Sequence, residues 1–442
     1  MPMTKINRKK EEKTSELIKK LLNIKDSNLY FVEDPLAKET ISGKLSNVFT
    51  GVLTYTPSCC PACGCANEGQ CIIRHAYYKS LIQLIPYQEV PTYLRLFKQR
   101  FRCKHCTATF SAQTTYVQEN CYISNPLKFA IAIDLKRKIS MKDIGERYFV
   151  SFKTVERVLD SFHREPRFNP HYLPAHLLID EFKGTNDCEG AMCFIVSDAD
   201  TGQIFDILSD RRNFKLRAYF QRFTLKARKK VTHIVMDMNA SYGSFVNDVF
   251  PCAKLSIDRF HVIQQLSRAF NKQRIQVMKQ LKKSDSIAQK NYRKLKKYWR
   301  TLLKKHKNIN YSALKQFPLF QKRYVTESEV LDHLLTVDSD LRESYEIYQE
   351  LLETFENKDY EGFFTCIDQL PTQLNKGFKK AILYLRKHRK AICNALMYSY
   401  SNGKLEGKNN LIKVIKRIAF GFRTFRHLRL RVLVQQGLCE LI

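Results

Sequence analysis

Apolar positions change their spacing along this chain and so predict a succession of different elements. Leu81-Ile82-Gln83-Leu84-Ile85 and Leu94-Arg95-Leu96-Phe97-Lys98 predict two short strands, the arms of a β-hairpin. From Leu127 to Lys138 the run turns helical, and two shorter helices follow. Ser140 is placed to cap the first of these, with Asp143 in its first turn, and Ser151 to cap the second. Ile144, Tyr148, Val155, Val158 and Leu159 then form the apolar seam of two helices packed across a tight turn. Lys153, Thr154, Glu156 and Arg157 are left outward. That is helix-turn-helix grammar, with Lys153 to Arg157 as the candidate major-groove face for double-stranded DNA.

Beyond residue 172 strands return. His176 to Phe182 is an apolar run ending in acids, and Ala191–Ser197 with Gln203–Leu208 predicts a hairpin turned by Asp198-Ala-Asp200-Thr-Gly202. A helix from Phe214 to Phe223, a strand from Thr232 to Asn239, a helix starting near Ala240 and a strand from Lys254 to His261 complete a mixed α/β sheet. About His261 to Tyr398 reads as helical. After a break at Gly403, one more helix carries Glu406, Asn410, Lys413 and Arg417 on one stripe and Leu411, Ile415, Ile418 and Phe422 on a second, apolar one. The expected division is an unassigned segment 1–50, a zinc-binding ribbon 51–118, a helix-turn-helix 119–168, a core 172–261, a helical insertion 262–395 and a last core segment 396–442.

Composition narrows the class. With 44% hydrophobic and 12% aromatic residues the chain is not mainly disordered, and 15 Gly and 13 Pro exclude collagen-like or linker-rich architectures. Its 75 Lys and Arg against 43 acids give +32, an excess that opposes folding unless a polyanion offsets it. Nucleic acid is the first such partner to consider and an anionic membrane surface the second. The charge is also uneven: Asp285 is the only acid from Arg268 to Lys307, and Glu406 the only one from Lys404 to Arg431. No run approaches the roughly 18 apolar residues of a membrane span, and Met-Pro-Met-Thr-Lys-Ile-Asn-Arg-Lys-Lys has no apolar signal core. A cytoplasmic, nucleoid-associated protein without a membrane partner is expected. There the 14 cysteines stay reduced.

Two cysteine pairs stand out. Cys60-Pro-Ala-Cys63-Gly64 and Cys103-Lys-His-Cys106 are CxxC knuckles, and together they suit a closed, tetrahedral structural Zn²⁺ site. A hairpin between them accounts for their long separation. Cys59, Cys65, Cys71, His75 and His105 remain rival ligands. Two apolar strands end in Asp180 and Asp237; if they are neighbours, both carboxylates meet at one sheet edge, where hard oxygen donors suit Mg²⁺ or Mn²⁺. Strand alternation turns Glu181 away from Asp180. Asp198 and Asp200 belong to the hairpin turn, and Asp258 is open between a structural and a chemical role. Among the cations, Arg293, Lys294 and Lys297 lie between Tyr292 and Tyr298, a mixture suited to stacking bases and neutralising phosphates, and Lys413 and Arg417 follow Glu406 on its stripe.

These motifs in this order resemble the insertion-sequence DDE transposases of the group called ISL-three, from about Cys60 to the C-terminus. The resemblance rests on CPACG, Lys98-Gln-Arg-Phe-Arg-Cys103, Ser151-Phe-Lys-Thr-Val-Glu-Arg-Val, Ile179-Asp180-Glu-Phe, Val235-Met-Asp237-Met-Asn, Ile257-Asp-Arg-Phe-His261, and Leu405-Glu406-Gly-Lys-Asn-Asn with Gly421-Phe-Arg. It implies a multidomain α/β protein whose ribonuclease-H-like core is interrupted by a helical insertion. It further implies Asp180, Asp237 and Glu406 as an acidic triad holding two Mg²⁺ or Mn²⁺ ions, cleavage at terminal inverted repeats, strand transfer by the freed three-prime hydroxyl, and a homodimer on DNA. A DNA-binding regulator, or a relic that no longer cuts, would use the same ribbon and helix-turn-helix and leave the acids structural. Convergence of the three acids separates the two.

Overall fold

The computed structural model describes residues 8–162, 168–238, 242–282, 285–320 and 324–439. The chain divides into two units, Met1–Arg167 with Lys413–Ile442, and Phe168–Ile412.

The first unit opens with helix α1 (Arg8–Leu21) and strands β1 (Leu29–Ile41) and β2 (Lys44–Leu53), so residues that carried no sequence assignment supply part of a sheet. β3 (Ile72–Gln83), β4 (Thr92–Cys103) and β5 (Thr109–Ser111) complete it in the order β1-β2-β4-β3, with β5 also on β4. The expected hairpin is real and longer than its two apolar runs, because β3 pairs with β4 from Gln83↔Tyr93 out to Ile72↔Cys103. Leu29, Phe49, Leu53, Ile82, Leu94 and Phe101 fill the core beneath.

Helices α2 (Asn125–Leu135), α3 (Met141–Tyr148) and α4 (Phe152–Asp160) follow. Ser140 and Asp143 form a reciprocal capping box, and the Ser151 hydroxyl accepts from the Thr154 amide, as the sequence predicts. The five seam residues are buried. Phe149 ends α3 at a left-handed φ of 55°, and Gln83 on β3 donates to the Tyr148 and Phe149 carbonyls at 3.0 and 2.9 Å.

Gly145 makes this turn possible, since an added Cβ would lie 2.9 Å from the Val150 carbonyl oxygen. The obstacle is backbone and cannot rotate away. Gly145→Ala is therefore expected to lose about 1–3 kcal/mol to overpacking, more than the roughly 1 kcal/mol that alanine gains in helix propensity. Urea denaturation followed by circular dichroism checks this; an unshifted or raised midpoint would mean that the turn relaxes freely.

In the second unit β6 (His176–Lys183), β7 (Met192–Asp198) and β8 (Ile204–Leu208) are antiparallel. Helices α5 (Asn213–Phe220) and α6 (Leu225–Lys229) lead to β9 (His233–Met236), and α7 (Tyr242–Val249) to β10 (Lys254–Ile257). β9 and β10 run parallel to β6, and the sheet order is β10-β9-β6-β7-β8. Asp198 takes the amide of Asp200 and the hydroxyl of Thr201 at 2.9 Å each, the hairpin chemistry expected of it. The helix start expected near Ala240 lies outside the described residues.

One boundary differs from expectation. The strand predicted from Lys254 to His261 stops at Ile257, and α8 (Arg259–Leu281) begins at once, so His261 stands on a helix. α9 (Ser286–Lys297), α10 (Trp299–Leu303), the small hairpin β11 (Lys315–Gln316) and β12 (Tyr324–Val325), α11 (Glu327–Leu335), α12 (Ser339–Glu356), α13 (Tyr360–Asp368), α14 (Lys376–Arg386) and α15 (Arg389–Met397) enclose an apolar core of their own. Asn394 on α15 donates to the Leu255 carbonyl of β10 at 2.8 Å.

Helix α16 (Gly403–Ile418) continues from the second unit into the first, where α17 (Phe425–Gln435) follows. Leu405, Asn409, Ile412 and Ile415 are the buried positions of α16; Leu411 and Ile418 of the predicted apolar stripe are only half-buried. On α17, the buried Arg431 donates to the carbonyls of Arg137 and Ile139 at 3.1 and 2.7 Å.

Candidate functional site

Parallel pairing in the second unit levels three aspartates. β6 and β9 match His176 with His233 and Leu178 with Val235; β9 and β10 match Met236 with Ile257. Continued in the same registers, Asp180 falls beside Asp237, and Asp237 beside Asp258, on strands about 4.8 Å apart. β9 and β10 end just before these positions, so the carboxylates gather where the ladder stops.

Asp180 is half-buried. Its Oδ1 accepts the Glu181 amide and its Oδ2 accepts Asn409 Nδ2, both at 2.7 Å. Burial chiefly, and then the charge of Asp237, hold its carboxyl above the usual carboxylate range against the opposing pull of the Glu181 amide. Glu181 pairs with Arg211 instead. His261 joins the cluster from the first turn of α8, with Nδ1 3.1 Å from Asp258 and Nε2 3.6 Å from Asp237. Its hydrogen bond with Asp258, reinforced by the charges of Asp237, Asp258 and Asp180, raises its pKa.

The third acid arrives on α16. Asn402 donates its amide to the buried Asp258 and its side chain to the Ile179 carbonyl, at 3.2 and 3.3 Å. Asn409, one turn after Glu406, grips Asp180. Those two asparagines register the helix against β6 and β10. Glu406 is exposed on the same helix, on the stripe with Asn410, Lys413 and Arg417. Among the described residues, neither Lys nor Arg pairs with Asp180, Asp237 or Glu406.

In a chain this basic, acids without a Lys or Arg partner could hold a divalent cation, and their oxygens suit Mg²⁺ or Mn²⁺. The amide oxygens of Asn402 and Asn409 are buried without a partner, which adds two neutral donors. The three acids do not close around one point, for among the described residues the four cysteines are the one group of three or more such side chains whose ligand atoms all lie within 4.8 Å of one another. Two-ion sites, with ions roughly 3.5–4 Å apart, spread their ligands more widely.

The cysteine group is tighter. Sγ atoms of Cys60 and Cys106 are 3.6 Å apart and those of Cys63 and Cys103 3.9 Å. A tetrahedral site with Zn–S bonds of about 2.3 Å needs sulfurs about 3.8 Å apart. The group comprises these four and none of the five rivals. Gly64, at φ 72°, supplies the left-handed turn behind the first knuckle. The amides of Cys63 and Ala62 bring Cys60 down to about 7. Cys106, although the Ala108 amide pulls it down, is pushed up to about 12 by Cys63, burial, Cys60 and Cys103. Four crowded thiols cannot all ionise unless a cation shares their charge, which is what Zn²⁺ does.

The DNA candidates are placed unevenly. Lys153 is exposed and paired with Glu156 at 2.5 Å; Arg157 is exposed, and Thr154 is half-buried against Ser151. Glu156, expected outward, is largely covered and lies 3.4 Å from His427 of α17. Arg293 and Lys297 are exposed, whereas Lys294 is half-buried, 2.7 Å from His333 and above the Phe320 ring. Lys413 and Arg417 are exposed. Reading the sequence passed over His261, Asn402 and Asn409. The i, i+3 spacing of Asp258 and His261, and an asparagine one turn after Glu406, were the available signals.

A family model described as a transposase, of the DDE type and the ISL3 group, matches residues 177–432. That span holds the carboxylates, His261 and both asparagines, and leaves out the cysteine group and helices α2 to α4. A protein of Lactococcus lactis subsp. lactis named "ATP-dependent protease" is 38% identical over 114 residues, 26% of this chain and 36% of that protein. The match thus spans about a third of that relative's length, and the name describes that protein.

Proposed function

This chain belongs to the ISL3 group of DDE transposases, and from that premise we propose that it cuts and joins double-stranded DNA at the ends of a mobile element. The levelling of Asp180 and Asp237 on neighbouring parallel strands, with the helix of Glu406 clamped to Asp180 by Asn409, carries this reading. A pure DNA binder has no use for acids at one sheet end, and on the helix clamped to it, that neither Lys nor Arg neutralises. The mixed sheet, three antiparallel strands with two more parallel to the first, supports the α/β core that this reading needs.

In this reading Asp180, Asp237 and Glu406 hold divalent cations. When bound, these supply Lewis-acid activation of the attacking oxygen and stabilise charge on the phosphodiester. The chain's own residues set the geometry. Asn409 fixes the lone pairs of Asp180, His261 bridges Asp237 to Asp258, and Asn402 holds the start of α16 in place. Cys60, Cys63, Cys103 and Cys106 hold a structural Zn²⁺; α4 reads DNA through Lys153, Thr154 and Arg157, while Arg293, Lys294, Lys297, Lys413 and Arg417 meet phosphates. Two element ends call for two copies of the chain.

The test is incubation with DNA carrying the inverted repeats that flank its gene, in Mg²⁺ or Mn²⁺. Breaks ending in a three-prime hydroxyl and joined products are expected. Specific binding without breakage in either metal would return the protein to a regulator. Affinity should also fall with salt, by a log–log slope near 0.9 per phosphate neutralised.

A further inference from the structure

Phe420 is the most exposed large apolar side chain among the described residues, at 93%. It stands in the turn between α16 and α17 with φ 52°, a left-handed position that glycine or asparagine usually takes. The turn is well formed: the Phe420 amide donates to the Arg417 carbonyl at 3.1 Å and the Gly421 amide to that of Lys416 at 2.9 Å. Phe422, two residues on, is half-buried. The fold thus gains nothing from the Phe420 ring and bears a backbone strain to present it. Lys413 and Arg417 on the last turns of α16 and Arg423, three residues beyond Phe420, are all exposed, and the first two have no ion-pair partner among the described residues.

We propose that Phe420 contacts a nucleobase, stacking on an unpaired or everted base while Lys413, Arg417 and Arg423 hold the flanking phosphates. This rests on the DNA-acting function above. The charge selects the partner: a second copy of a +32 chain would set cations against cations, whereas a nucleic acid offers a flat aromatic face between phosphates. Only an unstacked base exposes that face, so the ring distinguishes an opened DNA end from intact duplex.

The experiment uses the full chain and two DNAs of one sequence, one fully paired and one with three unpaired nucleotides at its end that include 2-aminopurine. Phe420→Ala should weaken binding of the opened DNA about 10-fold, leave the paired DNA within about twofold, and abolish the fluorescence change on binding. Phe420→Trp should restore both. The salt slope should be unchanged in Phe420→Ala but shallower by about 0.9 in Arg417→Ala, on both DNAs. Melting temperature should not move, because the side chain is exposed. The proposal is overturned if Phe420→Ala weakens both DNAs alike, leaves both unchanged, or instead alters self-association in sedimentation while the preference for opened DNA persists. Failure of the unaltered protein to bind either DNA would sink the DNA-acting function itself, and this inference with it.

Discussion

Asp180→Asn is expected to abolish strand cleavage, by on the order of 10⁴-fold, while DNA binding persists and the fold tightens. Loss of activity follows from removing one of two uncompensated carboxylates beside each other. Survival of the fold follows from Asn409. Its Oδ1 has no partner, so a flip of the amide lets it accept from the carboxamide introduced at position 180, where Nδ2 now donates to the carboxylate. Burial and Asp237 raise the carboxyl's folded-state pKa above its unfolded value, so ionisation opposes folding. The penalty is absent below the unfolded pKa, grows as pH rises, and is complete above the folded one. At pH 7, where the unfolded carboxyl is ionised, the amide variant should therefore melt at the same or a higher temperature in metal-free buffer. Undiminished cutting, or a variant that melts well below the parent, would each contradict the assignment.

Cys103→Ser should empty the cysteine site and unfold the region around it. Cys103 is fully buried as the last residue of β4, where it pairs with Ile72 and supports the second knuckle. A serine hydroxyl is harder and reaches less far than a thiolate, so the closed tetrahedron is broken. Zinc affinity should fall by far more than the roughly 100-fold that loss of a supporting hydrogen bond costs a metal site. Elemental analysis after gel filtration should find one zinc per chain in the parent and none in the variant. Limited proteolysis should then open residues 51–118 and spare 172–261. Cys59→Ser and Cys65→Ser should keep their zinc. Full occupancy in Cys103→Ser, with an empty site in Cys65→Ser, would move the centre to the rival ligands.

Much of the site was legible because its signals are local. CxxC knuckles, serine caps and an acid closing an apolar run are decided by residues a few positions apart; the structure groups the four cysteines and forms both caps, and Asp237 follows the end of β9, whereas β6 continues past Asp180 to Lys183. The stripe of Glu406, Asn410, Lys413 and Arg417 was readable for the same reason, since helical spacing puts those residues on one face. The failures are of another kind. The strand expected from Lys254 to His261 ends four residues earlier, at Ile257, because α8 takes over at Arg259. Glu156 looked solvent-facing because nothing near it in sequence announces α17, more than 260 residues on. The first fifty residues showed no motif, and their strands are evident only through their neighbours.

By itself, then, the sequence determined which groups are candidates for chemistry: four cysteines in two pairs, acids closing apolar runs, and a lone glutamate heading a basic stripe. Their meeting was decided by tertiary structure. Asp180, Asp237 and Asp258 share a level only because β6, β9 and β10 pair in those registers, and a slip of one residue would point one of them to the opposite face. Asn409 is indistinguishable in sequence from Asn410. Packing of α16 turns the first inward onto Asp180, 229 residues away, and leaves the second in solvent. Spacing along a chain fixes which side chains share a face, but register and burial depend on partners that no local pattern names.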